Sequence, residues 1–205
     1  MASLLDRRVG ARLGAAVTSA GRPRDPRIDT ALRQAVLQLL VEDSYLGLTV
    51  QAVARRAGVS APAIYRRFPG KLELVEWALF PAYRWTDPTY TGNYATDLTM
   101  LVRVLLTWLS LPASRAALPG LLGEYVRDSQ RYTRLLQATE GPVRDGFHEL
   151  VSAAVRRGEA RADAPIEAIL DVLLGAVLLE ALVRGDTDLD ASSRRIAEVV
   201  RRATD

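Results

Sequence analysis

Apolar residues recur at helical spacing through most of the chain, and no segment has the strict alternation that is typical of a strand. The first long periodic stretch begins near Pro26, and its apolar stripe contains Ile28, Leu32, Ala35, Val36, Leu39 and Leu40. Similar stripes follow, separated by proline, glycine and polar turn residues. The pattern therefore predicts an all-α protein of about nine helices, with a helical bundle in its larger part.

Residues 49–71 predict two short helices that are joined by a tight turn. Thr49 is placed to cap the first of these helices, and Gly58 is placed to end it in the left-handed conformation. Ser60 is placed to cap the second helix, which would bury Ile64 and Phe68. Together with the long helix before them, the two helices form a unit of the size that helix-turn-helix domains need.

The remaining side chains of the second helix suit contact with DNA. Small side chains at its start permit close approach to the major groove, and an aromatic hydroxyl and two guanidiniums follow them. These side chains belong to Ala61, Ala63, Tyr65, Arg66 and Arg67. We interpret this second helix as a recognition helix.

Charge separates the front of the chain from the rest. The net charge is +4 over residues 1–28, +3 over residues 29–71 and −4 over residues 72–205. A basic front and a mildly acidic remainder are expected of a DNA-binding head on a body that does not bind DNA. Arginines scattered over a solvated surface would give the same balance, so charge alone leaves both interpretations open.

The chain divides into three predicted parts. Residues 1–25 are rich in Gly, Ala, Ser and Arg and lack the apolar core of a secretory signal. We interpret them as a disordered basic arm, which is either an inert tail or an additional source of phosphate attraction. Residues 26–71 would form the helix-turn-helix domain, and residues 72–205 a helical domain for effector binding and dimerisation.

The sequence offers little for catalysis or metal binding. It contains no cysteine and one histidine, His148, which excludes a thiol nucleophile and a transition-metal site of the usual kind. It also contains no glycine-rich phosphate loop and no nucleophile elbow. We therefore predict that the protein is not an enzyme and needs no cofactor or metal. The absence of cysteine is compatible with the reducing cytoplasm, where we expect the protein to act.

The most apolar stretch, residues 166–183, approaches the length of a membrane span. It contains Glu167, Asp171 and Glu180, each of which would oppose insertion by roughly 2.5 to 3.5 kcal/mol if central. We therefore predict a helix that is hidden on nearly all sides within the protein, and no membrane partner.

This stretch and the last helix, at residues 189–203, need more apolar cover than one chain of this size supplies. Pairing them with the same helices of a second copy would form a four-helix bundle around a two-fold axis. Such a dimer would present two recognition helices to a palindromic site. The predicted interface residues are Ile169, Leu173, Val177, Ile196, Val199 and Val200.

The helix-turn-helix segment resembles the signature of the TetR family of transcriptional regulators. Residues 49–60 read TVQAVARRAGVS, residues 63–68 read AIYRRF, and residues 70–74 read GKLEL. Two positions differ from the family pattern: Ala63 stands where Thr or Ser is frequent, and Gly70 where Ser or Asn is frequent. Each removes a polar contact or a helix cap without disturbing the fold.

The resemblance implies that Thr49, Tyr65 and Lys71 contact phosphates, while residues 60–63 and Arg66 lie closest to base edges. A phosphate would also explain Lys71 physically, because a cation in the first turn of a helix opposes the helix dipole. Two alternatives stay open: Tyr65 could pack on the first helix of the pair, and Arg56 could pair with an acid such as Glu42. The predicted DNA-binding residues are Thr49, Gln51, Ser60, Ala61, Pro62, Ala63, Tyr65, Arg66 and Lys71.

A ligand-responsive body is the family expectation, and aromatic side chains in the middle helices suit a bulky, largely apolar effector. Core filling is the alternative for each of them. The predicted pocket residues are Tyr83, Leu105, Trp108, Tyr125, Tyr132, Phe147 and His148, with Pro81 as a candidate hinge between head and body.

The sequence thus predicts a homodimeric repressor that a small apolar effector releases from a palindromic operator. A DNA-binding protein without an effector, whose body only dimerises, is the alternative. A helical enzyme or carrier is a third and weaker possibility.

Overall fold

The structure is a computed structural model that describes residues 26–80, 91–128, 130, 133, 141–185 and 188–205. The predicted basic arm, Pro81, Tyr83 and Tyr132 lie outside the described residues.

The described residues form nine α-helices and no strand, which confirms the all-α prediction. The helices are α1 (Pro26–Gly47), α2 (Val50–Ala57), α3 (Ala61–Tyr65), α4 (Lys71–Leu79), α5 (Tyr94–Leu109), α6 (Pro112–Arg127), α7 (Gly141–Arg157), α8 (Ile166–Leu179) and α9 (Leu189–Thr204). A π-helical turn, Glu180–Arg184, continues α8. We call α1–α4 the head and α5–α9 the body.

The long first helix follows its predicted stripe with two differences. Five of the six predicted positions are buried, whereas Ile28, in the first turn, is exposed. The helix also continues past the predicted turn at Tyr45, across a kink at Ser44, where φ is 59° and ψ is −179°. This backbone conformation is rare for any residue but glycine and costs about 1–3 kcal/mol. Directly after the kink, the side chain of Tyr45 is buried.

Two apolar cores hold the chain together, and α6 contributes to both. The first core joins the four head helices to one face of α6 through Ala117, Leu121 and Tyr125. The second core joins α5, α7, α8 and α9, and Leu118 of α6 packs into it. The head is therefore built against the body by shared burial on α6.

A close contact between Tyr45 and Gly120 lies at the centre of this junction. A Cβ atom on Gly120 would come within 2.4 Å of Cδ1 of Tyr45, so only glycine lets the ring lie against α6. Lys71 holds the other side of Tyr45: its Nζ donates to the Tyr45 carbonyl at 3.0 Å and lies 4.4 Å from the ring centroid. A second link joins the Tyr125 hydroxyl to Oε1 of Glu76 at 2.9 Å.

The far end of the body is organised by a buried carboxylate. Glu180, at the start of the π-helical turn, accepts hydrogen bonds from Ser192 Oγ at 2.7 Å and Arg195 Nη2 at 2.8 Å, and it pairs with Arg184. The turn ends at Gly185, whose carbonyl accepts from Arg115 of α6 at 2.8 Å. These bonds compensate a buried charge and join α6, α8 and α9.

Within a single chain, residues 166–183 are hidden only in part, and the rest of the predicted cover would have to come from a second copy. Val172, Leu179 and Val183 are exposed along this segment. Among the described residues, no single helix has both the length and the apolarity to cross a bilayer. The helices α5 and α6 meet both criteria only when taken together, and they are bent by 83° relative to each other.

We expect Gly120→Ala to destabilise the protein by about 1–3 kcal/mol, because the new methyl group overpacks the Tyr45 ring. Gly123→Ala, in the same helix, is the matched control, since its Cβ would meet only the Arg127 guanidinium at 4.0 Å. It should stabilise by up to about 1 kcal/mol through helix propensity. Denaturant unfolding of the two variants checks this, and equal effects would contradict the importance of the contact.

Candidate nucleic-acid interface

The helix α2 has the two caps that the sequence predicts. Thr49 Oγ1 accepts a hydrogen bond from the backbone N–H of Ala52 at 3.1 Å. Gly58 ends α2 in the left-handed region with φ of 67°, and Val59 N donates to the Ala54 carbonyl at 3.0 Å. These local bonds satisfy both ends of α2 and fix the direction in which α3 begins.

The helix α3 is short, and its inward side chains hold it in place. Ile64 is buried, as is Phe68 just beyond its end, which confirms their predicted positions. Ser60 takes the capping position, but its hydroxyl makes no capping hydrogen bond. Pro62 lies in the first turn, where no helical bond is lost. The Ser60 hydroxyl therefore does not stabilise the start of α3.

The nine residues predicted to bind DNA are all exposed or half-buried. They lie at the start of α2, along α3 and just after it, and at the first residue of α4. Tyr65 is 48% exposed, so much of its side chain faces solvent instead of packing on α2. The structure therefore brings to the surface the short helix that the sequence predicts to read DNA.

The four arginines of this segment divide into two pairs. Arg56 donates to Glu42 at 2.6 Å, as the alternative interpretation anticipated, and this bond holds the pKa of the Glu42 carboxyl below its ordinary value. Arg67 donates to Asp29 at 2.6 Å.

Arg55 and Arg66, by contrast, form no ion pair or side-chain hydrogen bond with any part of the chain that the structure describes. Sequence reasoning missed Arg55, because the sequence does not reveal which arginines the fold pairs with acids. These two guanidiniums are the ones available to phosphates or base edges.

Lys71 has a partner within the chain. Its ammonium lies against the carbonyl and ring of Tyr45, near the carboxyl-terminal end of α1, where the helix dipole favours a cation. Tyr45 therefore accounts for the position of the Lys71 ammonium, and a phosphate is not needed to explain it. Its contact with DNA stays a prediction that rests on the family resemblance.

The five described residues of the predicted effector set do not come together around one cavity. Leu105 and Phe147 are buried in the second core, whereas Tyr125 is buried in the first. Burial, reinforced by Glu76, raises the pKa of the Tyr125 hydroxyl far above its ordinary value, so the hydroxyl stays protonated as the donor to Glu76. These positions correspond to the core-filling alternative.

The other two described residues of that set lie elsewhere. His148 is on the surface of α7, with Nε2 at 2.6 Å from Oε1 of Glu167, which also pairs with Arg144. Trp108 is half-buried near the corner between α5 and α6, and its ring lies 5.1 Å from that of Phe80. Among the described residues, no group of three or more His, Asp or Glu side chains could hold a metal ion.

Five of the six predicted interface residues are buried within a single chain, and their part in a dimer stays a prediction. Ile169, Leu173, Val177, Ile196 and Val200 are buried in their own chain's second core, and only Val199 is exposed. The exposed apolar residues of α8 and the π-helical turn are instead Val172, Leu179 and Val183. The sequence could not separate these two faces, because α8 is apolar nearly all round.

Comparison with known proteins identifies both parts of the chain. Residues 32–78 match the family described as bacterial regulatory proteins, tetR family, and residues 88–204 match the tetracyclin repressor-like C-terminal domain. An uncharacterized HTH-type transcriptional regulator of Mycobacterium tuberculosis, Rv1556, is 31% identical over 83% of this chain and 86% of its own.

Two further proteins agree with this assignment. The DNA-binding transcriptional repressor TetR of Mycobacteroides abscessus is 31% identical over 83% of this chain and 90% of its own. The crystal structure of the TetR family transcription regulator SCO0332 aligns with a TM-score of 0.65 and 26% identity, over 87% of this chain and 99% of the other.

We expect Thr49→Ala to destabilise the head by about 1 kcal/mol, because it removes the capping bond to the Ala52 N–H. Ser60→Ala is the matched control and should change stability by less than about 0.5 kcal/mol, since its hydroxyl caps nothing. Thermal or denaturant unfolding of both variants gives the comparison. A Ser60→Ala loss as large as that of Thr49→Ala would show that Ser60 supports the fold.

Proposed function

The chain belongs to the TetR family of transcriptional regulators, and we propose from this premise that it is a homodimeric repressor, released from a palindromic operator by a small, largely apolar effector. The observation that carries the proposal is the exposed helix α3, beside which Arg55 and Arg66 have no acidic partner among the described residues. The repressor role is supported by the Mycobacteroides abscessus relative, which is named a repressor. As a regulator of transcription that binds DNA, the protein would act in the cytoplasm of a bacterium.

DNA reading by this head depends on few side-chain hydrogen bonds. Ala61, Pro62 and Ala63, at the start of α3, have no polar side-chain atom, so they would contact thymine methyl groups. The Ser60 hydroxyl and the Arg66 guanidinium supply the polar contacts to base edges. Thr49, Tyr65 and Arg55 would hold phosphates, and DNA shape would add to the selectivity.

Dimerisation through α8 and α9 follows from apolar side chains that one chain leaves exposed. Val172, Leu179 and Val183 are spaced by seven and four residues, so they form a stripe along α8 and its π-helical continuation. Val199 adds an exposed apolar side chain on α9. Two copies of this surface around a two-fold axis would form a four-helix bundle and present two α3 helices to a palindrome.

Effector control is favoured over the effector-independent alternative by the construction of α6. This helix buries Leu121 in the head core and Leu118 in the body core, so a shift of the body also moves the surface on which the head packs. A body that served only for dimerisation would not need to share its helix with the head.

Replacing Arg66 with Ala should weaken binding to a selected duplex by about tenfold or more, because one guanidinium contact is lost. The slope of the logarithm of the affinity against the logarithm of the salt concentration should also become shallower by about one. The matched control is Arg56→Ala, whose guanidinium is already paired with Glu42. Fluorescence anisotropy with duplexes selected from a random pool by the wild-type protein, over a range of salt concentrations, measures both quantities. Unchanged affinity and salt slope in the Arg66 variant would remove it from the interface.

Replacing Val183 with Asp should convert the dimer to a monomer, because it buries a charge at the apolar interface. Val126→Asp is the matched control, since Val126 is also highly exposed but lies on α6. Sedimentation equilibrium at micromolar concentration distinguishes the two states. A monomeric wild type would overturn the dimer itself, whereas a dimeric Val183 variant would overturn only this choice of interface.

A further inference from the structure

An open groove with a mostly apolar surface lies between the head and the body, beside the core that they share. Leu37 and Val41 of α1 and Leu79 of α4 form one wall, and Trp108 and Leu111, at the corner between α5 and α6, form the other. Its volume is about 600 Å³, within the range of roughly 300 to 1,000 Å³ that is typical of small-molecule sites. The surface that lines it is overwhelmingly apolar.

One side chain in this groove is not explained by the fold. Ser114, in the first turn of α6, is only 1% exposed, and its hydroxyl has no hydrogen-bond partner in the part of the chain that the structure describes. A buried hydroxyl without a partner costs about 1–3 kcal/mol. Buried polar groups are nearly always paired, so this hydroxyl indicates a partner beyond the described residues, and a bound ligand would supply one.

The start of α6 adds donors at the same place. No side chain caps this helix: its capping position is held by Leu111, and Pro112 follows. Ala113 and Ser114 therefore begin the helix with backbone N–H groups that have no acceptor within it. Residues 111–114 all line the groove, so the hydroxyl and the helix terminus offer hydrogen-bond donors beside apolar walls.

We propose that this groove is the effector site and that its ligand is an apolar molecule carrying one hydrogen-bond-accepting oxygen, a carbonyl or a carboxylate, to which Ser114 donates. The inference rests on the proposed function and specifies its ligand class and site. Of the predicted effector residues that the structure describes, only Trp108 lines this groove.

A ligand bound in this groove would directly change the position of the head relative to the body. The surface of both walls is mostly apolar, although Arg33, Gln38 and Glu42 also line the α1 side. One wall belongs to α1 and α4 and the other to the α5–α6 corner, so a ligand contacts the head and the body at once. A ligand that fits one relative position of the walls better than the other shifts the population toward that position. The site therefore needs no separate relay between the effector and the DNA-binding head.

The probe for the test is prodan, a naphthalene that bears one ketone and whose emission shifts to the blue in apolar surroundings. Wild-type protein should bind it saturably with one site per chain. Val41→Trp should lower this affinity at least tenfold, because the indole fills the mouth of the groove where Val41 is exposed. Val126→Trp, which places the same side chain outside the groove, should bind as the wild type does.

Ser114→Ala tests the hydrogen bond separately from the cavity. It should weaken prodan binding about fivefold or more. The affinity for an analogue that has a propyl group in place of the propionyl group, and therefore no ketone, should not change. Without ligand, it should also make the protein slightly more stable, since it removes an unpaired buried hydroxyl. No saturable binding by the wild type, normal binding by Val41→Trp, or an equal effect of Ser114→Ala on both probes would each overturn the proposal.

A DNA measurement distinguishes this proposal from the proposed function. Saturating prodan should lower the affinity of wild-type protein for its selected duplex and leave that of the Val41→Trp variant unchanged. If prodan binds in the groove but DNA affinity does not change, the groove is a ligand site without a role in release. If the wild type binds no DNA with or without prodan, the proposed function itself fails, whatever the groove binds.

Discussion

The contact between Tyr45 and Gly120 determines how the head lies on the body. The ring occupies the space that any other side chain at position 120 would need, so the approach of α1 to α6 depends on one missing Cβ atom. The strained backbone at Ser44 precedes the buried Tyr45, and Lys71 then holds its carbonyl. A local conformation that is unfavourable by itself is thus compensated by a junction between two cores.

The sequence predicts the head well because its features are set by neighbours along the chain. A cap at Thr49 and a left-handed residue at Gly58 follow from residues three or four positions away. The partner of Lys71 could not be predicted in the same way. Tyr45 precedes it by 26 residues, and the contact depends on a kink at Ser44 that no residue preference suggests.

In the body, periodicity predicts helices but not their partners. A stripe identifies the buried face of a helix only when the opposite face is polar, as in α9. Since α8 is apolar nearly all round, Leu173 and Val172 are equivalent in the sequence, although one is buried in its own chain and the other is exposed. The aromatic residues pose the same difficulty: a large apolar side chain such as Phe147 fills a core as readily as it lines a pocket.

The helix α6 is where these constraints meet. Gly120 touches the head, Leu118 packs into the body core, Ser114 lines the groove, and Arg115 donates to the carbonyl of Gly185 before α9. A hundredfold loss of operator affinity needs only about 2.7 kcal/mol of coupling. This is comparable to the cost of overpacking one contact of the kind that Tyr45 makes with Gly120. Under the proposed effector control, a small displacement of α6 by a ligand at Ser114 would be sufficient to change the position of the head, because the close-packed Tyr45–Gly120 contact leaves no space to absorb it.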